Sequence, residues 1–166
     1  MSSPGLSPAS NPLSTVTAAA QAQATATLHR GANWFFLIAG LSVVNVISAV
    51  SGSQWTFFGG LGVTQLVSLV AMRMGTSAQM VALFLNIWAT AFFVCMGIFA
   101  RKGQQWAFIA GMALYAADAL IVVYMQAWLM LAFHGYVFYR LYMGYTSSKH
   151  LHVFDKHAGS GMPYQS

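Results

Sequence analysis

The chain has 166 residues, of which 58% are hydrophobic and only 5% charged. A soluble domain carries about 25% charged residues, and a chain this poor in charge cannot keep a water-facing surface soluble. Seven Lys and Arg against two acids give a net charge of +5. The cations are scattered one or two per loop, which suits contact with anionic lipid and argues against the solvated basic stripe of a nucleic-acid binder.

The apolar residues come in runs of about 18–22, enough to cross a hydrocarbon core ~30 Å thick at ~1.5 Å per residue. A soluble helical bundle would show polar stripes at helical spacing, and none of the runs has them. The expected fold is therefore all-α, a polytopic membrane bundle of five transmembrane helices over residues 30–146. Cys95, the single cysteine, lies inside an apolar run and reads as a small core residue.

In chain order, residues 1–29 form a tail rich in Ser, Ala, Thr, Pro and Gln, expected to be disordered. Its stretch Val16–Leu28 has enough Ala and Gln for a helix. The basic and apolar regions of a signal peptide are missing, so the tail is expected on the mature protein. The first span runs from about Ala32 to Val50, with Arg30 and Trp34 at its start as interfacial anchors.

After Ser51-Gly52-Ser53-Gln54 the second span runs from Trp55 to about Arg73. Its glycines Gly59, Gly60 and Gly62, like Gly40 and Gly111 in other spans, read as close helix contacts. A phosphate-cradling glycine loop would need a preceding strand. The third span covers about Ala78–Ala100 and ends at Arg101-Lys102-Gly103. The fourth, Trp106–Met125, and the fifth, Trp128–Tyr145, are joined by Gln126-Ala127. Residues 147–166 read as a flexible polar tail. Trp55, Trp106, Trp128 and Arg140 complete the interfacial set.

Short loops make successive helices antiparallel. Five crossings would then put the chain ends on opposite sides, with Arg30 and Arg73 on one and Arg101, Lys102, Arg140, Lys149 and Lys156 on the other. Basic loops favour the cytoplasm, so the expected orientation is N-terminus out and C-terminus in.

The segment Gly52–Leu61 matches Gly103–Met112 at a constant offset of 51, sharing Gly, Gln, Trp, Phe and Gly. This reads equally as one helical hairpin duplicated, with a helix added, or as convergent interfacial chemistry.

Four strongly polar residues fall at one depth. Gln65 lies eight residues before Arg73 and Asn86 eight after Ala78, while Asp118 lies eight before Gln126 and His134 eight after it. At ~1.5 Å per residue that is ~12 Å below the same boundary. Polar groups in hydrocarbon must turn inward and pair, and Asp118 with His134 is the best pair. The layer reads as structural glue or as a proton relay.

Other chemistry is weaker. His134 as a haem ligand lacks a second His at its depth. The tract His150, His152, Asp155 and His157 matches no zinc spacing. Ser42, Ser48 and Ser68 have no His at helical spacing and there is no G-x-S-x-G. No cofactor is expected.

The run Asn33-Trp34-Phe35, Ala39-Gly40-Leu41-Ser42, Asn45, Ser51-Gly52, Trp55, Phe57, Gly60-Leu61-Gly62 and Thr64-Gln65 resembles small bacterial multi-spanning membrane proteins with no assigned activity. Trp106-Ala107-Phe108, Gly111-Met112, Leu114-Tyr115-Ala116, Asp118 and Phe133-His134 extend the likeness over about Ala32–Arg140. It implies a bacterial inner membrane and brings no function. The expected role is a non-enzymatic accessory or scaffold subunit, partnered by other membrane subunits or by itself. A small proton-linked transporter or channel using Asp118 and His134 is the alternative.

Overall fold

The computed structural model describes residues 12–51, 62 and 76–160. Among them are four helices and no strand: α1 Pro12–Val50, α2 Thr76–Arg101, α3 Gln105–Tyr124 and α4 Trp128–Ser160. The second expected span, Trp55–Arg73, lies outside the described residues, as do the first half of the internal repeat, Gln65, Gly59, Gly60 and Trp55.

The helix ends follow from local chemistry. Gly103 takes φ +79. Its N–H donates to the Ala100 carbonyl and the Gln104 N–H to that of Phe99, which caps the last turn of α2. The same pattern ends α3, where Gln126 and Ala127 donate to Val123 and Val122. There Gln126 itself adopts φ 56, a left-handed conformation that usually falls to glycine.

The described parts of the two tails, residues 12–29 and 147–160, are helical. α1 starts at Pro12 and runs unbroken into the apolar span, and α4 continues to Ser160. Proline is well suited to the first helical position. Extending an existing helix also avoids the cost of nucleating one. Thr25 and Thr27 return their hydroxyls to the Gln21 and Gln23 carbonyls. Leu28 is buried, as are Ser147 and Ser148, so the extensions pack where they leave the bundle, while residues 15–23 are exposed.

Specific contacts fix the helix directions. Asn33 meets Arg101 and Phe36 meets Gly97, so α1 and α2 are antiparallel. Gly31 meets Gly144 while Trp34 packs edge-on against Tyr136, so α1 and α4 are antiparallel. Asp118 meets His134 and Phe108 meets Gly144, which sets α3 against α4. A line of rings, Phe108–Phe35–Phe93–Tyr115, runs through the core with centroids 5.8, 6.2 and 6.3 Å apart.

This arrangement corrects the expected topology. A single crossing between α1 and α2 would make them parallel, whereas they run antiparallel. The described helices therefore alternate down-up-down-up, and α1 begins at the end where α4 finishes. Among the described residues, Pro12 and Ser160 lie at the same end of the bundle, not at opposite ends. Arg30 and Trp34 move to the end that holds Arg101, Lys102, Trp106, Arg140 and Lys149. Every described Lys and Arg lies at that end, and Trp128 lies at the other.

The stretches Thr15–Ser48, Leu83–Arg101 and Gln105–Tyr124 are each long and apolar enough to cross a membrane. α4 is not among them, because His134, Arg140 and its row of tyrosines lower its hydropathy. Large apolar side chains nonetheless face outward on all four helices, including Phe84 at 68%, Leu120 at 71% and Leu129 at 73% exposure. Cys95 is also exposed, which corrects its assignment to the core. The hydrophobic run around it has one inward face, and Phe93 and Met96 occupy that face.

The packing glycines divide. A Cβ on Gly111 would enter the Phe35 ring, and one on Gly62 would come 2.7 Å from Val122. Gly40 has open space beside it, so its reading as a contact residue is corrected. Two contacts were not anticipated. A Cβ on Gly31 would sit 2.6 Å from the Gly144 Cα, and one on Gly97 would sit 2.8 Å from the Phe36 ring. At Gly31 and Gly144 two backbones touch, as small residues permit between helices in lipid.

Candidate functional site: a buried Asp–His pair

α3 and α4 diverge from the Gln126 turn. Side chains equally far from that turn meet across an antiparallel pair, which is why Asp118 and His134 face each other. Both are buried, at 4% and 1% exposure. His134 Nε2 and Asp118 Oδ2 share a hydrogen bond of 2.9 Å. The same carboxylate oxygen accepts the Gly62 N–H at 2.8 Å, from 56 residues away in sequence.

The other imidazole nitrogen determines the proton count. His134 Nδ1 lies 2.8 Å from the Met130 carbonyl one turn back. A carbonyl can only accept, so Nδ1 carries a hydrogen and donates. The Nε2···Oδ2 bond then holds one further proton, on either atom. With the proton on nitrogen the pair is imidazolium and carboxylate; with it on oxygen, both groups are neutral. The pair carries no net charge in either state, which is what a low-dielectric interior demands. Because both nitrogens are engaged, neither is free to ligate a haem iron.

The Tyr115 ring stacks on the His134 imidazole, centroids 4.6 Å apart and planes within 6°. The stack holds the imidazole plane in line with Asp118. Phe93 meets Tyr115 edge-on from α2. Asn86 is buried on α2. Counting along α2 from the Gly97–Phe36 contact, it lies near the level of Asn45 on α1. Counting along α1 from Phe35, which packs on Phe108, places Asn45 within about one turn of the Asp118 level.

Asn45 is thus a member of the polar layer that the sequence reading missed. Among the described residues its buried amide has no hydrogen-bond partner, and neither does the buried Tyr115 hydroxyl. Ser42, also buried, donates to the Ile38 carbonyl of its own helix.

Of the interfacial set, Trp34, Trp106 and Arg140 gather at the cationic end, whereas Trp128 lies at the other. Arg140 sits 6.0 Å from the ring centres of both Trp34 and Tyr136. Trp106 donates its indole N–H to Gln104 at 2.7 Å. Arg101 donates to Asn33 Oδ1 through Nε at 3.0 Å and through Nη2 at 2.5 Å, and lies 4.7 Å over the Phe36 ring. Among the described residues no three His, Cys, Asp or Glu side chains gather in a metal-holding group. No protein-family model matches this sequence, and neither a curated protein nor a solved structure is significantly similar to it.

Proposed function

We propose that this chain is a non-enzymatic integral membrane protein, an accessory or scaffold bundle whose Asp118–His134 pair is structural. One observation carries the reading: Asp118 Oδ2 takes both the His134 imidazole and the Gly62 N–H. One carboxylate oxygen thus ties together α3, α4 and the segment around Gly62. The ionisable groups satisfy one another instead of facing a path.

The described helices cross the bilayer four times. α4 counts among the crossings because its Met130–Gly144 stretch runs beside α3 at the same depth. Its tyrosines and tryptophan form the outward belt expected near headgroups. The cationic end is cytoplasmic by the preference for basic loops there, so the α1 and α4 extensions both lie inside. The resemblance to small bacterial membrane proteins favours the inner membrane.

A second reading, proton-linked transport through the same pair, is favoured by the proton shared between Nε2 and Oδ2 and by the unpartnered Asn45 and Tyr115 groups in that layer. Proteoliposomes with an imposed pH gradient separate the two. The structural reading expects no ion or solute flux above that of empty liposomes, and expects a partner subunit or a second copy to co-purify in mild detergent. A gradient-driven flux that Asp118→Asn abolishes would replace it with the second.

A further inference from the structure

Where the α1 and α4 extensions leave the bundle they border, with the α2–α3 turn, an open cavity of about 280 Å³. Leu28 lines it, and Gln21, His29, Arg101, Lys102 and His152 border it from three sides. Every one of these polar groups can donate a hydrogen bond, two are permanent cations, and among the described residues no carboxylate lines the cavity. Arg101 is already held by Asn33 through Nε and Nη2. That contact fixes the plane of the guanidinium and leaves Nη1 unengaged by it. Lys102 Nζ rests 5.7 Å over the Phe99 ring, an attraction that does not neutralise its charge.

We infer that this cavity is a binding site for a phosphate-bearing anion. A phosphoryl group offers oxygens in several directions, and the donors here converge from α1, the α2–α3 turn and α4. A guanidinium on a pre-set plane with Nη1 outside the Asn33 contact, beside the Lys102 ammonium, suits phosphate better than a diffuse positive surface does. The cavity is larger than a phosphate ion and opens where α2 ends, near Trp106 and about two to three turns past Arg140 along α4, at an end of the bundle that lipid headgroups and soluble anions can both reach. The ligand is therefore either the phosphodiester of an anionic lipid or a free phosphate compound. The inference rests on the membrane-bundle reading but not on which face is cytoplasmic.

The test uses the full chain purified in neutral detergent. One arm titrates inorganic phosphate. The other reconstitutes the chain in nanodiscs of phosphatidylcholine with or without phosphatidylglycerol and measures retained lipid by native mass spectrometry. Binding in the first arm assigns a soluble ligand, and selective retention in the second assigns a lipid; either supports the site. Arg101→Gln with Lys102→Gln should weaken binding about tenfold or more, because charge-assisted contacts are lost. His29→Gln with His152→Gln, which leaves the Asn33 contact intact, should weaken it in the same direction.

Arg140→Gln removes a cation from the same end but outside the cavity, and should change binding less than about twofold. The inference is overturned if neither probe binds. It is equally overturned if Arg140→Gln weakens binding as much as the Arg101/Lys102 pair does, since the charge would then be acting diffusely. Either failure leaves the membrane reading standing, because resistance to carbonate extraction tests that separately.

Discussion

Removing one member of the buried pair should cost far more than removing both. Asp118→Leu strips the partner from His134 Nε2 and from the Gly62 N–H. Breaking a buried pair in this way costs about 3–5 kcal/mol. His134→Leu takes the imidazole from Asp118, and the remaining carboxyl must be neutralised or stay charged in an apolar interior, at a similar cost. The double variant removes both ionisable groups and takes the carboxylate from the Gly62 N–H, a loss of about 1–3 kcal/mol.

The singles thus sum to about 6–10 kcal/mol against about 1–3 for the double, a coupling of at least ~3 kcal/mol. Neutral hydrogen bonds between membrane helices are smaller, ~1–2 kcal/mol, because the unfolded chain in lipid also finds partners. Stranding a charge should therefore dominate the cycle. Reversible unfolding in mixed micelles, compared across the four chains, measures it. If the costs of the two singles add to that of the double within about 0.5 kcal/mol, the pair is not the unit described here.

Two further outcomes follow from the helix packing. Gly31→Ala and Gly144→Ala should each destabilise by about 1–3 kcal/mol, because the new methyl meets backbone that cannot retreat. Gly40→Ala and Gly135→Ala point into open space and should be neutral or stabilising by up to about 1 kcal/mol; thermal melts of the four variants check the contrast. For orientation, a Cys95→Ala background carrying Lys149→Cys should resist a membrane-impermeant maleimide in intact cells and react after lysis. Met80→Cys, at the other end, should react without lysis, and external labelling at 149 would reverse the assignment.

Helices, their apolar character and two of their breaks were legible in the residues. Gly103 and Gln126 end α2 and α3 where the apolar runs pause, because capping is a local matter decided within a few residues. The meeting of Asp118 and His134 was legible for a related reason. A two-residue turn makes its flanking helices antiparallel, so equal counts from Gln126 bring two side chains to one depth.

What only the tertiary structure decided is everything that spans the 25 residues between Val50 and Thr76. A connection of that length sets no direction. The antiparallel packing of α1 on α2 had to come from Arg101 reaching Asn33 and from Gly31 lying on Gly144. That direction gathers the described cations at one end and moves Asn45 into the polar layer. It also seats the two chain extensions together around the cavity bordered by Arg101 and Lys102. The Gly62 N–H on Asp118 is of the same kind, a contact 56 residues apart that no local spacing encodes. Periodicity reports how a helix is built, whereas its neighbours are chosen by the complementary surfaces that arrive beside it.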